Sequence, residues 1–214
     1  MKIRILQVKR FFDGFRFVEG LHTIEIAAEV IRAIRPGAVG APDEPYDFLM
    51  PALTESHCHL FLDGDEHANA VRKAHLSKTP EQLVKTGLDN LARYREAGIR
   101  TVRDAGDVYG VNHRLRDAAG ELGMRVVSAG KAVRKTGRYG SFMARELAGP
   151  EDIPAAVAEI ARDADALKIV LSGIIDFAHG QVKGEPQFSS GELELLVQCA
   201  HEHEIGRASC RERV

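Results

Sequence analysis

The sequence contains no tryptophan and only three cysteines, Cys58, Cys199 and Cys210, which share no Cys-x-x-Cys spacing. That is too few for a disulfide framework, so a reducing, cytoplasmic setting is the expected one. Long hydrophobic runs are missing too. No stretch approaches the ~18 apolar residues that would span a membrane, and residues Met1 to Arg10 are charged too often to hold the apolar centre of a signal peptide. Nor is there an excess of one charge: 29 Lys and Arg stand against 31 Asp and Glu, a formal net charge of -2. No basic surplus is available to neutralise a phosphate backbone, and nucleic acid is not an expected partner. Internal repeats and low-complexity tracts are absent.

What is present is an ordinary globular balance, 44% apolar and 28% charged, enough to bury a real core. Residues Met1 to about Phe48 show β-rich runs, Lys2 to Val8 and Phe15 to Ile26, broken by Asp13-Gly14 and Glu19-Gly20 turn signals. Pro36 to Pro45 has the composition of a loop, which places a domain boundary near Phe48. Beyond it, strand-like segments (Ala52 to Leu60, Ile99 to Arg103, Arg125 to Ala129, Ala166 to Leu171) alternate with helix-like ones. Thr79-Pro80-Glu81-Gln82 supplies an N-cap, a proline at the first helical position and a capping-box glutamine, and Gly98 closes that helix. Asn112 to Leu122 and Glu151 to Asp163 suit two further helices, and Ser189 to Glu192 caps a last one running to about His203. Such alternation implies βαβ units and a parallel sheet, either open and doubly wound or closed into a barrel.

Three signals carry chemistry. His57 and His59 sit at the end of a strand, where residues i and i+2 face the same way, so both imidazoles can reach one metal ion. The bland alternative is a pair of satisfied histidines. His201-Glu202-His203 has the same spacing on a helix, where i and i+2 do not share a face, and reads as solvated surface. Lys168 interrupts the apolar run Ala166 to Leu171. Burial there favours a neutral amine, able to add CO2 as a carbamate or attack a carbonyl as a Schiff base, unless the chain snorkels to water. In Gly98 to Asp107 a strand ends in a polar, glycine-containing turn, where Asp104 could orient a ligand or simply close an Asx turn.

Pro51 to Leu60 resembles the "PG-L-I-D-x-H-x-H" first-strand motif of the amidohydrolase superfamily. Gly98 to Gly106 is similar to its "GITTVRD-G" stretch, Ala164 to Ile169 to "GAD-x-I-K", and Glu192 to Glu202 to the "E-x-x-A-x-V-x-x-A-H-E" helix. The four occur in the family's order and cover nearly all of Phe48 to His203. The branch resembled is the imidazolonepropionase-like and Xaa-Pro dipeptidase-like one. The resemblance implies an α/β fold: the N-terminal part of a (β/α)8 TIM barrel (residues 49–204, about four βα units), preceded by part of a small β-sandwich domain (1–48). It further implies that His57 and His59 bind a divalent metal, zinc being the first candidate, with one or two ions per complete site. Lys168, as a carbamate, would bridge two ions, and a metal-activated hydroxide would hydrolyse a C–N bond of an amide, cyclic amide or dipeptide, a small-molecule substrate. Where the branch often has a Gly-Gly-His-Gly-like loop, this sequence has Gly137-Arg138-Tyr139-Gly140. Tyr139 and Asp104 are therefore the candidates for substrate contact.

The same resemblance calls for two further His ligands and a late Asp, and none of their strands is found in the 214 residues, so the chain as given is expected to be inactive. Ile205 to Val214 lacks a period-2 apolar face and back-translates, with suitable codons, to a common sequencing adapter. It is therefore expected to be a non-native tail forming no fifth barrel strand, leaving an unpaired edge at Ala166 to Leu171. A parallel ladder between the two segments would refute that. Two rival functions are a metal-free lyase or aldolase using Lys168 as a Schiff base, and a non-catalytic scaffold in which His57, His59 and Lys168 do not meet. A homo-oligomer remains open on sequence grounds.

Overall fold

Alternation of apolar and polar residues from Arg4 onward builds the first strands, and a computed structural model describes residues 3–64, 68–173, 175–176, 181–182 and 184–210. The chain forms two units, Met1–Ala52 and Leu53–Val214, so the division falls slightly after the expected boundary near Phe48. In the first unit, β1 (Arg4–Phe12) and β2 (Phe17–Ala27) make a hairpin whose turn is closed by Asp13, its Oδ1 accepting from the amides of Phe15 (2.8 Å) and Arg16 (2.9 Å). A register shift between Val8 and Arg10 moves the alternation by one residue, so Phe11 is buried with Leu6 and Val8. β3 (Val30–Pro36) follows β2 through Ala28 and Glu29, both in the left-handed region (φ 49° and 60°). That hairpin escapes the sequence because neither residue is the Gly or Asn such a turn prefers. β4 (Glu44–Tyr46) adds parallel to β1, giving one four-stranded sheet in the order β3-β2-β1-β4.

The second unit alternates strand and helix. β5 (Leu53–Cys58), α1 (Asn69–Leu76), α2 (Pro80–Glu96), β6 (Ile99–Asp104), α3 (Val111–Ala119) and β7 (Arg125–Ser128) follow in turn. After them come β8 (Ala132–Lys135), β9 (Ala144–Leu147), α4 (Ile153–Ile160) and β10 (Ala166–Val170). A short hairpin of β11 (Ile175–Asp176) and β12 (Gln181–Val182) precedes α5 (Ser190–Glu202) and β13 (Gly206–Cys210). Both expected capping boxes are made: Thr79 with Gln82, and Ser189 with Glu192. Strands pair in parallel as β5-β6-β7 and β13-β10-β8-β9. β7 and β8 are successive, and the Asp165 amide at the start of β10 donates to the Ser128 carbonyl at the end of β7 (2.8 Å). Within the two sheets β5, β6, β7 and β8, β10, β13 each run in chain order, with β9 on the other side of β8, an arrangement consistent with part of a (β/α)8 barrel.

Side chains sort by strand parity. Leu83, Leu91, Val102, Leu115 and Val126 form one core under α2 and α3, while Val133, Ile153, Val157, Leu167 and Leu196 form another under α4 and α5. Since Leu167 and Ile169 face the helices, Lys168 and Val170 face the opposite, inner side of β10.

One expectation is overturned. Gly206–Cys210 lies in a parallel ladder with Ala166–Val170, Ala166 opposite Gly206 and Val170 opposite Cys210, so β10 is paired on both sides and offers no free edge. The ladder is made by backbone N–H and C=O groups, which the unfavourable side-chain pattern of this segment does not remove. The approach is set by neighbours: Ile205 N–H donates to the Ala200 carbonyl (3.1 Å), Gly206 N–H to the Asp165 carbonyl (3.1 Å), and Ile205 packs against the α4–α5 core. The expectation of a tail that forms no fifth strand is refuted by this ladder. Residues 211–214, like Met1 and Lys2, lie outside the described residues.

Candidate active site

His57 is the fifth of six residues in β5 and His59 follows the strand, so the two rings share its inner face at a centroid separation of 5.9 Å. Cys58 between them faces the α2 core, its Sγ 3.8 Å from the Arg103 carbonyl, and burial pushes its thiol pKa up. Lys168, the third of five residues in β10, is 1% exposed, which excludes a lysine that snorkels to water. Its Nζ lies 3.2 Å from His57 Nε2. β5 and β10 are not neighbours, and His57 and Lys168 meet across the space enclosed by the strands, with Lys168 at mid-strand. The separation that a scaffold would show is not found.

His59 is held differently. Its Nδ1 lies 2.9 Å from the Gly106 carbonyl, which can only accept, so Nδ1 carries the proton and Nε2 keeps its lone pair. Desolvation of the ring, only partly opposed by that bond, brings its pKa down to about 4 and keeps it neutral. Phe61 and Phe142 pack edge-on at centroid distances of 6.2 and 6.0 Å.

Asp104 takes the structural option. Its Oδ1 accepts from Gly106 N–H (2.8 Å), an Asx turn, and its Oδ2 from Leu60 N–H (2.9 Å). Complete burial pushes its pKa up to about 7 against the pull of those two bonds. Tyr139 is 36% exposed, with its ring edge-on to Phe142 at 6.0 Å and so one aromatic neighbour removed from His59. Gln187, which the sequence does not flag, is 5% exposed and donates to the carbonyls of Tyr139 (3.1 Å) and Ser172 (3.2 Å), fastening the Tyr139 loop. His201, Glu202 and His203 are exposed, as expected.

A second constellation has the look of a nucleophile and its base. Ser128 Oγ lies 3.0 Å from His113 Nδ1, and His113 Nε2 lies 3.6 Å from Asp163 Oδ2. The hydroxyl is fully buried and already donates to Asn112 Oδ1 (2.8 Å), so it has no proton for His113 and no access to a substrate. It ties α3 to β7.

Residues 48–208 match the family model described as the amidohydrolase family. The chain belongs to the amidohydrolase family. An uncharacterised protein of Mycobacterium tuberculosis strain H37Rv is 27% identical over 165 residues, 76% of this chain and 40% of its own length. Among solved structures, a Xaa-Pro dipeptidase with methionine bound in its active site superposes with a TM-score of 0.75 at 22% identity, over 97% of this chain and 56% of that one. The ochratoxinase of A. niger superposes with a TM-score of 0.72 at 18% identity, over 97% and 55%. At such identities the superpositions establish the fold. The chain spans about half the length of these structures and less of the mycobacterial relative. No helix among the described residues is long and apolar enough to cross a membrane.

Proposed function

We propose that this chain carries the first half of the metal site of a C–N bond hydrolase, with His57 and His59 as ligands and Lys168, as its carbamate, as the bridge between two divalent ions, zinc the first candidate. The observation that carries the reading is the meeting of Lys168 with His57, 3.2 Å apart, beside a His59 whose Nε2 lone pair is left for a ligand. The donor set fits a borderline-soft divalent ion. Imidazoles must be neutral to bind, and His59 is neutral well below pH 7. A lysine becomes a bridging oxygen donor by adding CO2 at its neutral amine, forming a C–N bond and releasing a proton. Divalent ions at such a site polarise a carbonyl and make water nucleophilic near neutral pH.

This chain's own residues have defined tasks. His59 offers Nε2 from a ring fixed by the Gly106 carbonyl, His57 and Lys168 close the opposite side, and Phe61 with Phe142 keeps water from the back of His59. Tyr139, edge-on to Phe142, is the candidate for substrate contact, and Asp104 supports the loop. Small-molecule amides, including dipeptides, suit the reading, since proteins of this fold include a Xaa-Pro dipeptidase. Among the described residues no group of three or more His, Cys, Asp or Glu could hold an ion, so two histidines and a lysine leave the ligand set short. On this reading the site needs further ligands and a base, and the 214-residue chain alone is expected to show no turnover. Three cysteines without a Cys-x-x-Cys pair suit a reducing cytoplasm as its setting.

The test compares the 214-residue chain with a longer protein completed to the relatives' length, each supplied with zinc, manganese or cobalt and bicarbonate, on acyl-amino-acid and dipeptide substrates. Turnover is expected only in the longer protein and is lost in its Lys168→Ala variant. Metal-free turnover with substrate trapped on Lys168 by borohydride would establish the Schiff-base chemistry instead.

A further inference from the structure

Asp104 is a costly choice for closing a turn. A carboxylate at 0% exposure carries a large desolvation penalty, and an Asx turn onto Gly106 N–H needs only one acceptor oxygen, which asparagine supplies equally well. What asparagine cannot do is accept on both sides. Asp104 receives N–H groups on both oxygens, Gly106 on Oδ1 (2.8 Å) and Leu60 on Oδ2 (2.9 Å), and the carboxamide of an Asp104→Asn variant would turn a donor against one of them.

The two amides so joined flank one side chain. Leu60 is the residue after His59, and Gly106 is the residue whose carbonyl faces His59 Nδ1 at 2.9 Å. The residue before His59 is tied to the same turn, the Ala105 N–H donating to the Cys58 carbonyl (2.7 Å). From behind, the turn meets a hard stop. Gly106 has φ +102°, and a Cβ on it would lie 2.9 Å from the Gly130 carbonyl. Main chain and ring of His59 are thus both referenced to residues 104–106, and the Asp104 carboxylate is bonded to both sides.

We propose that Asp104 is a positioning residue for His59, holding the Gly106 carbonyl where it accepts a hydrogen bond from Nδ1–H and so dedicating Nε2 to ligand binding. The inference deepens the metal-site reading and rests on it for its purpose, but the tautomer it predicts is a property of the metal-free chain. Partners that fix the orientation and tautomer of a ligating histidine in this way typically change metal affinity by about 10- to 100-fold when lost.

The test uses the 214-residue chain labelled with 15N-histidine, metal-free at pH 8, with long-range 1H–15N correlation spectra assigned to His59 by the His59→Gln variant. Wild type is expected to show the Nδ1–H tautomer. Asp104→Asn is expected to populate the Nε2–H tautomer to a comparable extent and to weaken zinc binding about 10- to 100-fold. Asp107→Asn is the control for general loosening. Asp107 is also buried, but its oxygens cap α3 through Tyr109, Val111 and Asn112, so it should lower thermal stability and leave the His59 tautomer alone. An unchanged tautomer in folded Asp104→Asn, or the same change in both variants, overturns the proposal. Wild type already in the Nε2–H form overturns it without any variant, which covers the case of an Asp104→Asn chain that does not fold. If the tautomers respond as expected but wild type takes up no zinc at His59, the metal-site reading has failed and the positioning of the ring stands.

Discussion

Two histidines at the end of one strand, two residues apart and on one face, live in different surroundings. His59 is half-buried, neutral and tied through Nδ1 to a backbone carbonyl, whereas His57 is exposed and turns Nε2 to a lysine from across the site. The spacing that makes them a pair says nothing of this difference. Period-2 geometry gives a shared face, and the contacts that fix each ring come from segments 47 and 111 residues away in the chain. The two halves of the pair should therefore fail separately.

The largest separation is expected from Lys168→Met, which keeps most of the side-chain volume in a fully buried place. In the longer protein turnover should fall about 1,000-fold or more, the scale of losing a group essential to the metal chemistry. In the 214-residue chain the His57 ring resonances should move while those of His59 hold. Equal movement of both would break the comparison.

Gly106→Ala should act on the other member. A left-handed φ and a Cβ 2.9 Å from the Gly130 carbonyl cost about 1–3 kcal/mol, read as a lowered urea midpoint, with the His59 ring resonances moving and those of His57 held.

A pH profile sharpens the contrast further. The folded pKa of His59 lies near 4 against 6.5 ordinarily, so the unfolded chain binds more protons between those values, and this contribution is present above pH 6.5 and lost as pH falls through 4. Asp104 runs the other way. Its pKa near 7, against 3.8, makes the folded chain bind more protons, a contribution present below 3.8 and lost as pH rises through 7. Across pH 4 to 6.5 the two slopes oppose. In metal-free protein, denaturant melts of Asp104→Asn should rise in stability with pH over that window, and those of His59→Gln should fall.

The smallest effect is the control. Thr79→Ala removes the acceptor for Gln82 N–H at the start of α2 and should cost about 1 kcal/mol in urea melts without moving either histidine.

What the sequence shows follows from which interactions are local. The capping boxes at Thr79 and Ser189 are read directly because donor and acceptor lie three residues apart, and Lys168 stands out because a charge interrupts an apolar run. The Asp104 turn is half legible: its bond to Gly106 is local, while its bond to Leu60 spans 44 residues. β8 and β9 are missed because short parallel strands joined by a loop carry no helix between them to mark the alternation. β13 escapes for the opposite reason. Its ladder is a backbone property fixed by where α5 ends and where Asp165 waits, and side-chain pattern is the wrong quantity to consult. The loop that sets Tyr139 over Phe142 depends on Gln187, 48 residues on, which no motif announces.

The central claim is that His57, His59 and Lys168 serve one metal site, and a zinc titration of the 15N-histidine-labelled 214-residue chain with bicarbonate present tests it most directly. The account predicts zinc-dependent shifts at Nε2 of His59 and at His57, both weakened in Lys168→Met and neither accompanied by change at His201 or His203. Zinc that perturbs the exposed helix histidines and leaves His57 and His59 untouched would contradict it.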